Sequence, residues 1–192
     1  MVAATAAAVR GGRIVTGARI AAWHLGGLVL GAAILGVGVA AAGAALPLPR
    51  DTLAVALGVM ALAAGGAAMV GRSVPVLSSD AQVPEAWSVT MSPAQYAFAY
   101  GVGLGLGVVT RVPSWSLYLL LGFILLVGEP TAALVAAPLY GLARGLPVIA
   151  ASWLDRPSPE IVGAIERLRP LAFRVDGLIT ASIGAALVVQ SV

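Results

Sequence analysis

Five residues, Thr110-Arg111-Val112-Pro113-Ser114, interrupt an otherwise apolar run from Ala94 to Leu126. Their types allow one kind of chemistry. An arginine inside a membrane costs roughly 2.5–3.5 kcal/mol, so it turns to a cavity, a partner or the interface. Pro113 frees a backbone carbonyl one turn back, which can bind water, an ion or a polar group of a substrate. The plainer alternative is an arginine that snorkels to the interface beside a packing kink. A second segment, Pro138 to Pro147, reads PLYGLARGLP and carries Tyr140 and Arg144. Two broken helices adjacent in sequence are the pattern of a site near the bilayer midplane. Thr110, Arg111, Pro113, Ser114, Pro138, Tyr140 and Arg144 are therefore the candidate pathway residues. His24, beside Trp23, could relay protons. The simpler reading makes it an interfacial residue hydrogen-bonded to backbone or lipid.

Composition removes other chemistries. The chain has no cysteine, which excludes disulfides, thiolate nucleophiles and thiolate metal ligands. With a single histidine, no metal site and no cofactor are expected. There is no visible catalytic triad, carboxylate pair or phosphate loop, so enzymatic activity is not expected. The run YGVGLGLG spaces its glycines as G-x-G-x-G-x-G inside an apolar stretch, whereas a dinucleotide site needs G-x-G-x-x-G at a strand-to-helix turn. Gly101, Gly103, Gly105 and Gly107 instead form small-xxx-small pairs for close helix packing, and Gly27 and Gly31 repeat the pattern.

These residues need elements to position them. The 192 residues are 60% hydrophobic and 10% charged, with a mean hydropathy of +1.00. A soluble domain carries about 25% charged residues. The expected fold is all-α: a polytopic membrane helical bundle, one domain over residues 1–192. Five spans are expected, at about 20–45, 52–70, 94–127 (broken near 113), 131–153 and 178–189. Two of them are broken by proline and glycine. Asp51-Thr52 offers an N-cap for the second span. The charged segment 154–176 carries a short amphipathic surface helix in IVGAIERLRPLAF. Trp87, Trp115 and Trp153 read as interface anchors. Residues 1–9 do not resemble a secretory signal.

Arginine placement orients the bundle, since every basic residue is arginine. With the N-terminus in the cytoplasm and 94–127 as one span, Arg10, Arg13, Arg19, Arg72, Arg156, Arg167, Arg169 and Arg174 face the cytoplasm. Arg50 alone faces out. The positive-inside rule favours this arrangement over six spans. A multi-pass protein of a prokaryotic cytoplasmic membrane follows. Its partners would be the lipid bilayer and another membrane subunit or a homo-oligomer, with no nucleic acid.

Residues 96–127, with FAYGVGLGLG and then Val112-Pro113-Ser114, resemble the fourth transmembrane helix of the CcdA/DsbD-type thiol-disulfide electron transporters of cytochrome c biogenesis. Residues 131–152, with Tyr140, Gly145 and Pro147, resemble that family's fifth helix, Ala143 standing where a first glycine is usual. Residues 13–71 are similar to its second and third helices. The family carries electrons on two membrane cysteines. Here Ser114 stands at the second, and the helix bearing the first has no counterpart. The resemblance therefore implies a redox-inactive, cysteine-less relative lacking the first helix, with a transporter-like role. The alternative is a structural or assembly subunit of a membrane complex of cytochrome c biogenesis or thiol-redox type, or a truncated form of a longer electron transporter.

Overall fold

The structure is a computed structural model that describes residues 14–72, 87, 90–107, 115–153 and 158–191. Every element among them is a helix: α1 (Ile14–Ala45), α2 (Arg50–Met69), α3 (Pro93–Gly105), α4 (Ser116–Val127), α5 (Pro130–Trp153) and α6 (Ser158–Ser191). Three stretches are long and apolar enough to cross a bilayer: Gly17–Ala45, Arg50–Met69 and Glu166–Gln190. α4 is apolar but shorter, at 12 residues.

Local signals account for three helix ends. α3 opens with a capping box: the Gln95 amide donates to the Ser92 hydroxyl, and the Ser92 amide donates to the Gln95 side chain, with Pro93 in the first turn. α5 opens on Glu129, whose carboxylate accepts from both the amide and the hydroxyl of Thr131. α4 closes on Gly128 in the left-handed conformation (φ 64°), with its amide bonded to the Ile124 carbonyl at 2.9 Å.

Several expectations are corrected. The cap expected at Asp51-Thr52 is not used; α2 starts at Arg50 behind Pro49, with no side-chain cap. Asp51 sits instead in the first turn, where its charge complements the helix dipole. Within the run 94–127, α3 ends at Gly105 and α4 starts at Ser116; the break expected near Pro113 falls on residues outside the described ones. Gly107 (φ 72°) supplies the left-handed turn that follows α3, past the helix end. The second break, at Pro138 to Pro147, is absent: α5 runs through both prolines. A proline deletes its own N–H donor and bends a helix without having to end it, and in a bilayer continuity keeps the remaining backbone groups bonded. The separate surface helix and short last span are also a single element. α6 is 34 residues long with Pro170 inside it.

The described helices divide between two compact units. One gathers α1 up to Leu35, α3, and α5 from Val135 to its end. The other gathers α1 from Gly36, α2, α4, the first turn of α5, and α6 from Glu166.

Candidate functional site

In the first unit, α1 crosses α3 on glycine. A Cβ added to Gly27 would collide with the Phe98 carbonyl, and one on Gly31 with that of Val102. From the other side, a Cβ on Gly101 would meet the His24 carbonyl, and one on Gly105 that of Leu28. All four glycines therefore face a partner backbone carbonyl, at a distance only glycine allows. The contacts advance together along both chains, so α1 and α3 run parallel. α5 packs on the same part of α1 in the opposite sense: Gly141 meets Leu28 and Ala32, and Gly145 meets Leu25 and Leu28.

This crossing buries His24, which is 1% exposed. Its Nδ1 lies 3.3 Å from the Ala97 carbonyl, so Nδ1 carries the proton in that bond. Nε2 is then an acceptor, and it has no protein partner among the described residues. The Tyr100 ring lies 5.7 Å from the imidazole and stacks at 6.3 Å on Tyr96. His24 is thus buried and hydrogen-bonded to backbone, whereas its neighbour Trp23 is 45% exposed and packs edge-on against Phe98 at 5.8 Å.

In the second unit, α2 crosses α6 on glycine from both sides. A Cβ on Gly58 would stand 2.8 Å from the Gly184 carbonyl, and one on Gly184 2.7 Å from that of Gly58. Gly65 and Gly177 are reciprocal in the same way, at 2.5 and 2.7 Å. Numbers rise on one helix as they fall on the other, so this pair is antiparallel. α4 joins through Gly122 against Leu57. Ser116, at the start of α4, donates its hydroxyl proton to the Asp176 carboxylate on α6. Thr180, one turn further on, is 1% exposed and its hydroxyl has no partner among the described residues.

Of the candidate pathway residues, Thr110, Arg111, Pro113 and Ser114 lie outside the described residues. Pro138, Tyr140 and Arg144 are half-buried on α5. Tyr140 and Arg144 are both engaged with neighbours. Gly103 is buried in α3. The Asp176–Thr180 pair was missed. Its signal is an acid and a hydroxyl four residues apart (DGLIT) at the start of an apolar run, a spacing that sets both on one helix face. Trp115, expected as an interface anchor, is half-buried and leans on Tyr118 at 5.8 Å.

The chain is similar to three proteins named methylamine utilization protein MauF. It is 28% identical to that of Methylobacillus flagellatus over 165 residues, 85% of this chain and 58% of that protein. It is 29% identical to that of Paracoccus denitrificans over 169 residues, 88% of this chain and 60% of the relative. It is 32% identical to that of Paracoccus versutus over 168 residues, 86% of this chain and 61% of the relative. The chain thus spans about three fifths of the length of these relatives. No protein-family model matches the chain. No solved structure matches it.

These relatives correct the resemblance to CcdA/DsbD-type electron transporters, and with it the cytochrome c biogenesis and transporter-like readings. The residues that carried the resemblance were glycines, prolines and apolar runs. Close helix packing in a bilayer demands these of many unrelated bundles.

Proposed function

We propose that the chain is a membrane-embedded accessory or assembly subunit that serves methylamine utilization. The observation that carries this reading is the similarity over 85–88% of the chain to proteins named for that process. The geometry is compatible with it. Both units are held by backbone-to-backbone glycine contacts, while large apolar side chains such as Ile34, Val59, Leu139 and Ile179 face outward. Such outer faces suit lipid and neighbouring membrane subunits.

The reading includes one transmembrane domain of five spans with a cytoplasmic N-terminus, in a prokaryotic cytoplasmic membrane. Helix directions support the count. α1 and α3 are parallel, while α1 and α5, and α2 and α6, are antiparallel. An alternating bundle in which residues 93–127 make one net crossing has these senses. Two crossings, or a loop that enters and leaves on one side, would turn α5 parallel to α1.

The functional test is deletion of the gene in the organism that encodes it. Growth on methylamine should be lost, growth on other carbon sources kept, and the wild-type gene should restore the first. Undiminished growth on methylamine would overturn the proposal. The topology is tested separately by reporter fusions: one after Ser158 should report cytoplasm, and a periplasmic signal there would refute five spans.

A further inference from the structure

The two ends of the second unit differ in charge. The register that sets Gly58 against Gly184 and Gly65 against Gly177 brings the C-terminal end of α2, with Arg72 just beyond it, level with Pro170 of α6. That end carries Arg72, Arg167, Arg169 and Arg174 against Glu166 and Asp176. The opposite end, where Gly128 after α4 meets Gly43 and Ala44 of α1, carries Arg50 against Asp51 and Glu129.

At the basic end α6 sorts its arginines by face. Arg169 is engaged within the chain: Glu166 lies 3.6 Å away, and the guanidinium sits 5.6 Å above the Phe173 ring. Arg174 is exposed and has no hydrogen-bond or ion-pair partner among the described residues. Arg167 precedes it by two turns, about 20° away around the axis and about 10 Å along it. Leu171 lies between them in the same row and Leu178 follows one turn on, both exposed, with Val175 and Ile179 exposed beside them. An arginine at the edge of an apolar span is expensive unless its head reaches the interface. Helical side chains lean toward the helix N-terminus, which carries the Arg174 head outward, toward the level of Arg167.

We propose that this face of α6 binds an anionic phospholipid, with the Arg174 guanidinium on the lipid phosphate and the acyl chains along Val175, Leu178 and Ile179. A phosphate diester takes a guanidinium in bidentate fashion. Arg167 and Arg72 add positive charge at the same end, whatever else they bond. The arginine row runs without interruption into apolar side chains, and an amphiphile satisfies both where an acidic peptide would leave the apolar part uncovered. A zwitterionic headgroup brings its own cation to the arginines, so net negative charge selects the lipid. The site goes beyond the accessory role and stands or falls independently of it.

The test uses the full chain purified in a neutral detergent. Palmitoyl-oleoyl phosphatidylglycerol, the phosphatidylcholine of the same chains and inorganic phosphate are titrated at constant ionic strength, with native mass spectrometry counting adducts. Phosphatidylglycerol should saturate at one molecule per chain and raise Tm; phosphatidylcholine and inorganic phosphate should do neither. Arg174→Gln should weaken phosphatidylglycerol binding about tenfold, the equivalent of one lost charge-assisted contact. Arg169→Gln, which removes the same charge from the engaged face, should leave binding unchanged. Phosphatidylglycerol bound no more tightly than phosphatidylcholine would overturn the proposal. So would equal losses in the two variants, which would reduce the effect to net charge. Inorganic phosphate bound as tightly as the lipid would assign Arg174 to a free anion and overturn the lipid.

Discussion

Two of the glycine crossings in this protein solve one problem in different ways. Between α1 and α3 the helices are parallel, and the glycines are spaced by four: 27 and 31 against 101 and 105. Between α2 and α6 they are antiparallel and spaced by seven: 58 and 65 against 177 and 184. A spacing of four sets glycines on successive turns, the arrangement of right-handed GxxxG crossings. A spacing of seven returns to the same face after two turns and suits a shallow left-handed crossing. The added-Cβ contacts are shorter in the first crossing than the 2.5–2.8 Å of the second. Without a hydrophobic drive between helices in lipid, that closeness is itself the attraction, through dispersion and Cα–H···O contacts.

Substitutions can break or sharpen this comparison. The largest loss is expected for Gly101→Ala, whose Cβ would enter the His24 carbonyl in the tighter crossing. It should destabilise the chain by about 3 kcal/mol, at the upper end for overpacking. Thermal unfolding in detergent measures it, and a neutral result would deny the close approach. His24→Ala should cost about 2 kcal/mol, through a cavity and the lost bond to Ala97. His24→Phe should cost less, because it refills the volume and removes the unpartnered Nε2. Gly184→Ala, in the looser crossing, should cost about 1.5 kcal/mol. A loss equal to that of Gly101→Ala would erase the distinction between the crossings. Gly38→Ala and Gly66→Ala have nothing within 4 Å of the new Cβ. Each should raise stability by about 0.5–1 kcal/mol, the helix-propensity gain.

How much was legible in the residues follows from the same physics. Few charges and long apolar runs dictate helices in a membrane, because backbone groups in lipid must be bonded within the chain. Gly27, Gly31, Gly101 and Gly105 mark themselves as small residues at helical spacing. The continuity of α5 through Pro138 and of α6 through Pro170 was not readable. A proline states that one hydrogen bond is missing, and only the surroundings decide whether the helix bends or stops. The burial of His24 was equally hidden: α1 is apolar on every side, so no stripe in its sequence tells the interior face from the lipid face. Asp176 was legible as a charge, but its place inside a span depended on α6 being one helix.

α1 has a consequence for the surrounding lipid. Its apolar stretch Gly17–Ala45 is 29 residues, about 44 Å at the helical rise. A typical hydrocarbon core is about 30 Å thick. Tilt within the usual range of about 0–40° does not absorb all of that excess. The remaining length must stretch nearby acyl chains or lie among the headgroups. The protein therefore carries a built-in thickness preference, and bilayers of longer or more ordered chains should hold it with less elastic stress than thin ones.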